Sequence, residues 1–183
     1  MTKDTRASMV RSAASLIGTQ GLHATSFSEV LAASGAPRGS IYHHFPDGEG
    51  QLAREAVEWT SERVLERQGA CPPTASPTDV LAWFVELWRG VVINSSGLAG
   101  CAVAGVTIDV GGDPELDELA RSIFRSWVGL LASQLAGAGL PTERANRLAT
   151  TALAAMEGAL ILCRAEQSAG PLEAVASEIL SLA

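Results

Sequence analysis

The chain has 183 residues, 47% of them hydrophobic and 18% charged, with a formal net charge of −7. That length gives room for one large domain or two smaller ones with a real core. The acidic balance excludes a body coated in basic residues, and the abundance of alanine, leucine and glycine without β-branched alternation favours an all-α protein.

The charge is unevenly placed. Residues 1–45 carry Lys3, Arg6, Arg11 and Arg38 against Asp4 and Glu29, a balance of +2 that leaves −9 for the rest. His23, His43 and His44 also lie in this part. Such asymmetry hints at a local nucleic-acid contact on an otherwise acidic chain. The N-terminus runs straight into a helical pattern without the apolar core of a signal peptide. No run reaches 18 uninterrupted apolar residues, so a cytoplasmic protein with no membrane association is expected. Cys71, Cys101 and Cys163 are odd in number and far apart, which fits neither a disulfide framework nor a metal knuckle.

In chain order, Met9, Ala13, Leu16 and Ile17 recur at helical spacing from Thr5 to Thr19, and Gly21 supplies a stop. Ser26 and Glu29 have capping-box spacing and open a second helix that buries Phe27, Val30 and Leu31 and ends at Gly35. Only Ala36 and Pro37 separate this helix from Arg38, so the third helix must turn sharply, with Pro37 suited to its first turn. In that helix Ile41 and Phe45 form an i, i+4 apolar pair, while Arg38, Gly39, Ser40, Tyr42, His43 and His44 cover the other sides. An ordinary amphipathic helix places Glu, Lys or Gln on its wet face. A cation, a hydroxyl, two imidazoles and a phenol without a carboxylate suit an anionic surface, most simply DNA. Two short helices joined by a tight turn form a helix-turn-helix.

Pro46-Asp47-Gly48 breaks the chain, and a connecting helix is expected over about residues 49–68, with Leu52, Ala56, Thr60 and Val64 on one side and an Arg54–Glu58 pair on another. A proline-rich loop follows. Ser76-Pro77-Thr78-Asp79 then opens an aromatic helix carrying Trp83, Phe84 and Trp88, which Asn94-Ser95-Ser96-Gly97 ends. The apolar, glycine-dotted stretch from Leu98 to Val110 reads equally as a short buried helix or as a strand. Asp113-Pro114-Glu115 begins a helix ending near Gly137, and Thr142 begins one that is apolar on nearly all sides from Ala149 to Cys163, apart from Glu157. A helix wet on no face must be buried on two. Pro171 opens the last helix.

The order Ala13-Ala14, Leu16-Ile17, Gly21, Thr25-Ser26-Phe27, Val30, Ala33, Gly35 and then Gly39-Ser40-Ile41-Tyr42-His43-His44-Phe45 resembles the DNA-binding domain of the tetracycline-repressor (TetR) family of bacterial regulators. Residues 154–165 and the general layout are similar to its LmrA/YxaF-like branch. The resemblance implies a helix-turn-helix domain at residues 1–48 and a helical regulatory and dimerisation domain at 49–183. It implies that Arg38, Gly39, Ser40 and His43 face base edges, and that Tyr42, His44, Thr25 and Ser26 touch phosphates. The family commonly has a phosphate-contacting lysine at the start of the fourth helix. This chain has Asp47-Gly48-Glu49-Gly50 there, with Lys3, Arg6 and Arg11 as candidate compensations.

The resemblance further implies a small-molecule inducer in a mostly apolar cavity, for which Trp83, Trp88, Phe124, Trp127 and Met156 are the candidate lining. A homodimer is implied as well. Ala154, Ala155, Gly158 and Leu162, with Val175 and Ile179 of the last helix, are its candidate contacts, while Leu153, Met156 and Leu160 serve the interior. The implied function is a dimeric regulator, most simply a repressor, on a palindromic double-stranded operator. A redox sensor of the same fold, using Cys101 or Cys163, is the alternative. No nucleophile and base, metal-ligand spacing or cofactor loop is evident, so catalytic residues, metal and cofactor are not expected and the chain is not read as an enzyme.

Overall fold

A computed structural model describes residues 2–95, 100–108 and 113–183, with residues 2–4 and 94 described in backbone only. Among these residues there are nine α-helices, one 3-10 turn and no strand. The expected stop at Ser96 and Gly97 and both ends of the stretch from Leu98 to Val110 lie outside the described residues, as does the side chain of Lys3.

Helix α1 spans Thr2–Gln20 and is ended by Gly21, whose φ of 85° is open to glycine at little cost. Helix α2 spans Phe27–Ser34. Its Ser26 side chain accepts from the Glu29 N–H while Glu29 accepts from the Ser26 N–H, so the expected capping box is formed, and Gly35 closes the helix in a left-handed conformation. The next segment differs in detail from the expected single helix. Arg38–Ser40 is a 3-10 turn and only Ile41–His44 is α-helical, here α3. Pro37 stands one position outside the helix, with extended ψ of 136°, rather than in the first turn. The tight link from Gly35 holds the chain extended there before the turn can start.

Helix α4 spans Glu49–Gly69 and α5 spans Pro77–Asn94, the latter opened by a second capping box between Ser76 and Asp79. The Ser76 hydroxyl and N–H both donate to Asp79 and hold its carboxyl below the usual range. Helix α6 is Ala102–Ile108, so the ambiguous apolar stretch is helical from residue 102 to 108, after Gly100 and Cys101 in coil. Helices α7, Pro114–Gly137, α8, Thr142–Glu166, and α9, Gly170–Ser181, complete the chain.

The helices sort into two compact units. One takes Met1–Glu62 and Gly100–Ile123, the other Arg63–Ala99 and Phe124–Ala183. The first unit therefore does not stop at residue 48, because it includes most of α4, all of α6 and the start of α7. Its core joins Met9, Ala13, Ile17, Val30, Ile41, Phe45, Leu52, Ala56, Val103 and Val106. Arg54 reaches Glu115 at 3.2 Å and Asp113 at 3.8 Å, so the expected pairing with Glu58 gives way to two carboxylates of the same unit. In the second unit α8 packs against α9 and α5. Leu153, Met156 and Leu160 are interior, as expected. Helix α8 is the one described helix long and apolar enough, by length and composition, to cross a membrane. Ala145, Leu148, Ala149, Ala152 and Ala159 on it are buried within the unit, as in a core helix.

Candidate nucleic-acid interface

The segment from Arg38 to His44 projects from two fully buried anchors, Ile41 and Phe45. Arg38, Gly39, Tyr42 and His43 are exposed, while Ser40 and His44 are half-buried. Tyr42 is the most exposed large ring, with 71% of its surface open, and its ring stands edge-on to that of Phe27 with centroids 5.5 Å apart. This contact brings the start of α2 and the flank of α3 into one corner. His43 and His44 stack edge to face at 5.4 Å. The Ser40 hydroxyl donates to the Pro37 carbonyl at 2.6 Å, which steadies the 3-10 turn and leaves its oxygen able to accept. The exposed face is thus free of carboxylates from Arg38 through His44.

Thr25 and Ser26 are half-buried at the start of α2. The Thr25 hydroxyl donates to the Gly21 carbonyl at 2.8 Å. Three N–H groups at this end are engaged within the chain: Ser26 N–H with Glu29 at 2.9 Å, Phe27 N–H with Glu49 at 3.0 Å, and Glu29 N–H with Ser26 Oγ at 3.4 Å. Bonds from the Ser26 N–H, the Gln20 amide and the Ser26 hydroxyl hold the Glu29 carboxyl below the usual range. Sequence spacing does not reveal the Glu49 contact, because it joins residues 22 apart. Its only local signal is an acid placed on the first turn of α4 after a tight Phe-Pro-Asp-Gly turn.

Of the basic residues near the N-terminus, Arg6 is engaged within the first unit, with 43% of its side chain still exposed. It reaches Glu55 at 2.6 Å and lies over the Phe45 ring at 5.2 Å, clamping the foot of the third segment. Arg11 is exposed.

In the second unit Trp88 and Trp127 are buried with centroids 6.3 Å apart, and Phe84 and Phe124 extend the cluster at 6.0 and 5.6 Å. Met156 is fully buried. The Nε1 donors of Trp88 and Trp127 are buried without a hydrogen-bond partner among the described residues. Trp83 does not join them. It is 39% exposed, donates to the Arg67 carbonyl at 2.7 Å and lines a separate surface cleft of about 300 Å³ with Arg67, Ala70, Glu86 and Leu87. On α8, Ile161 and Leu162 are 57% and 50% exposed and Ala154 is open, while Ala155 and Gly158, and Val175 on α9, are half-buried. Ile179 is only 3% exposed, so it belongs to the protomer's own core.

Cys71, Cys101 and Cys163 are buried thiols. Burial, aided by the Asp79 carboxylate, pushes the Cys71 thiol up, away from the reactive thiolate. The redox alternative finds no support here. No group of three or more metal-ligating side chains occurs among the described residues.

Residues 10–54 match the profile of the bacterial regulatory proteins of the tetR family, and residues 77–178 match that of the LmrA/YxaF-like transcriptional regulator C-terminal domain. An uncharacterised HTH-type transcriptional regulator of Mycobacterium tuberculosis is 35% identical, covering 97% of this chain and 93% of its own. The regulator YxaF of Bacillus subtilis is 30% identical, with 96% and 93% covered, and LmrA of the same species is 26% identical, with 98% and 96% covered. Among solved structures, a TetR transcriptional regulator from Chloroflexus aurantiacus superposes with a TM-score of 0.79 at 27% identity, covering 98% of this chain and 94% of that one. The regulatory protein TetR from Rhodobacter sphaeroides gives 0.84 at 17% identity, with 96% of each covered, and speaks for the fold alone. The all-α chain, with its helix-turn-helix and helical C-terminal part, belongs to the TetR family of DNA-binding transcriptional regulators and is not an enzyme.

Proposed function

We propose that the protein is a cytoplasmic, homodimeric repressor that binds a palindromic operator and is released by a small, largely apolar molecule. The observation that carries this reading is the carboxylate-free exposed face from Arg38 to His44, mounted on buried Ile41 and Phe45. Arg38, Gly39, Ser40 and His43 meet base edges in the major groove, and Tyr42, His44, Thr25 and Ser26 meet the backbone. The functional division follows the sequence: residues 1–48 read DNA, and residues 49–183 sense and dimerise.

The sensing site is built around Trp88, Phe124, Trp127 and Met156. Two buried indole donors without partners favour a ligand that carries oxygen acceptors, since a buried donor left unpaired costs about 1–3 kcal/mol. Trp83, on its own cleft, is outside that site. The dimer face is the exposed apolar side of α8, with Ala154, Ala155, Gly158, Ile161 and Leu162, and Val175 of α9. Ile179 backs it from inside. Release is a population shift, in which the ligand prefers the DNA-incompetent arrangement and only its differential affinity counts.

The test is operator affinity in Tyr42→Ala and His43→Ala. Each should weaken binding, by about 1–3 kcal/mol where a good base contact is lost, with thermal unfolding little changed because both side chains are exposed. Wild-type affinity in both variants would remove the assignment.

A further inference from the structure

Two carboxylates sit on the first N–H groups of α2. Glu29 is the local one, closing the capping box. Glu49 comes from the first turn of α4 and accepts the Phe27 N–H at 3.0 Å. Phe27 opens α2, so its N–H is among those a helix leaves without an intrahelical partner, at the end where the helix dipole favours negative charge. A DNA phosphate arriving at this corner would seek the same donor. The corner lies beside the reading face, because the Phe27 ring is in edge contact with the exposed Tyr42 ring. Glu49 itself is exposed, between Gly48 at φ 87° and Gly50, whose added Cβ would meet nothing within 4 Å. Being exposed, its carboxylate can pass to water when it leaves the Phe27 N–H.

We infer that Glu49 is an internal substitute for a DNA phosphate: in the free protein its carboxylate occupies the Phe27 N–H, and it must leave when a backbone phosphate takes that donor. The inference rests on the reading that the corner of α2 and α3 faces DNA. Glu49 then acts as a brake on backbone binding. Displacing it costs one charge-assisted hydrogen bond, and the displaced charge remains near the phosphates. The brake acts on every sequence equally, so the relative weight of base contacts rises and binding to arbitrary DNA falls.

The experiment uses the full chain. Binding of wild type, Glu49→Ala, Glu49→Gln and Asp47→Asn to a short random-sequence duplex is measured over a salt series. Hydrogen exchange of the Phe27 amide is followed without DNA. Asp47 is the control, since it is an exposed acid two residues away whose N–H bonds Gln51 of α4 rather than α2. Loss of one net hydrogen bond corresponds to roughly fivefold to tenfold. The Phe27 amide should exchange faster by that factor in Glu49→Ala, and duplex affinity should rise by a similar factor in both Glu49 variants and by clearly less in Asp47→Asn. Equal gains in Asp47→Asn and the Glu49 variants would mean a general field effect and overturn the inference. Unchanged Phe27 exchange in Glu49→Ala would overturn it too. Tyr42→Ala separates the two ways of failing. If Tyr42→Ala leaves duplex binding untouched, the DNA-facing reading falls and this inference with it; if it weakens binding while the Glu49 variants match Asp47→Asn, the inference alone falls.

Discussion

Arg89 of α5 donates through Nε and Nη2 to both carboxylate oxygens of Glu173 on α9, at 2.7 and 2.6 Å, and also bonds Glu86. The bidentate contact holds the Glu173 carboxyl below the usual range and the guanidinium firmly charged. Because the folded value is depressed, the contribution is present above the unfolded carboxylate range, near pH ~4.3. It fades as pH falls through the lower folded value. Half of the Glu173 side chain is open to water, so solvent screening limits the effect to about 1 kcal/mol or less. Glu173→Gln should therefore lower the urea midpoint at neutral pH and match wild type once acid has protonated the carboxylate. An equal deficit at both pH values would assign the loss to packing. Arg6 makes the opposite lesson visible. Its sequence position suggests a DNA-facing cation, yet Glu55 and the Phe45 ring engage it inside the first unit.

Helix α6 is held against α1 by close backbone approach. A Cβ added to Gly105 would lie 2.3 Å from the Ile17 carbonyl oxygen, and one added to Gly100 would lie 1.8 Å from that of Gly18. Both obstacles are backbone atoms and neither can yield cheaply, so Gly105→Ala should destabilise the protein by about 1–3 kcal/mol. Gly129 in α7 meets nothing within 4 Å. There the same change should stabilise by about 0.5–1 kcal/mol through helix propensity. Urea unfolding of the two variants checks both signs, and a harmless Gly105→Ala would mean α6 is not seated on α1.

How legible each element was follows from how local its signal is. The starts of α2 and α5 were readable because Ser26 with Glu29, and Ser76 with Asp79 and Pro77, act within four residues. The stretch around α6 was ambiguous because a short apolar run suits a buried helix and a strand alike. Its glycines take their meaning from α1, some 80 residues away. The carboxylate-free face and its two anchors were legible from helical spacing. The 3-10 turn within it was not, since the extended Pro37 shifts the start by one position. Helical spacing alone groups Trp83 with the other rings, whereas the Arg67 carbonyl draws it to a different cleft.

At the scale of the whole molecule, the family places this chain among DNA-binding regulators, and the exposed apolar side of α8 argues for a second copy. Gly158 lies on that side and has nothing within 4 Å of an added Cβ. Gly158→Arg therefore starts from an unobstructed Cβ position and sets a charge in the proposed contact. Sedimentation should find the wild type dimeric and this variant monomeric with unchanged helicity. A dimeric variant would move the interface elsewhere. Two-fold symmetry would set the paired Arg38–His44 faces one helical turn of DNA apart, about 34–36 Å between centres. The most direct measurement is a footprint on genomic fragments that the wild-type protein itself selects. The account predicts two protected half-sites of inverted sequence, one helical turn apart on one face of the duplex. A single protected patch, or no selective protection at all, would contradict it.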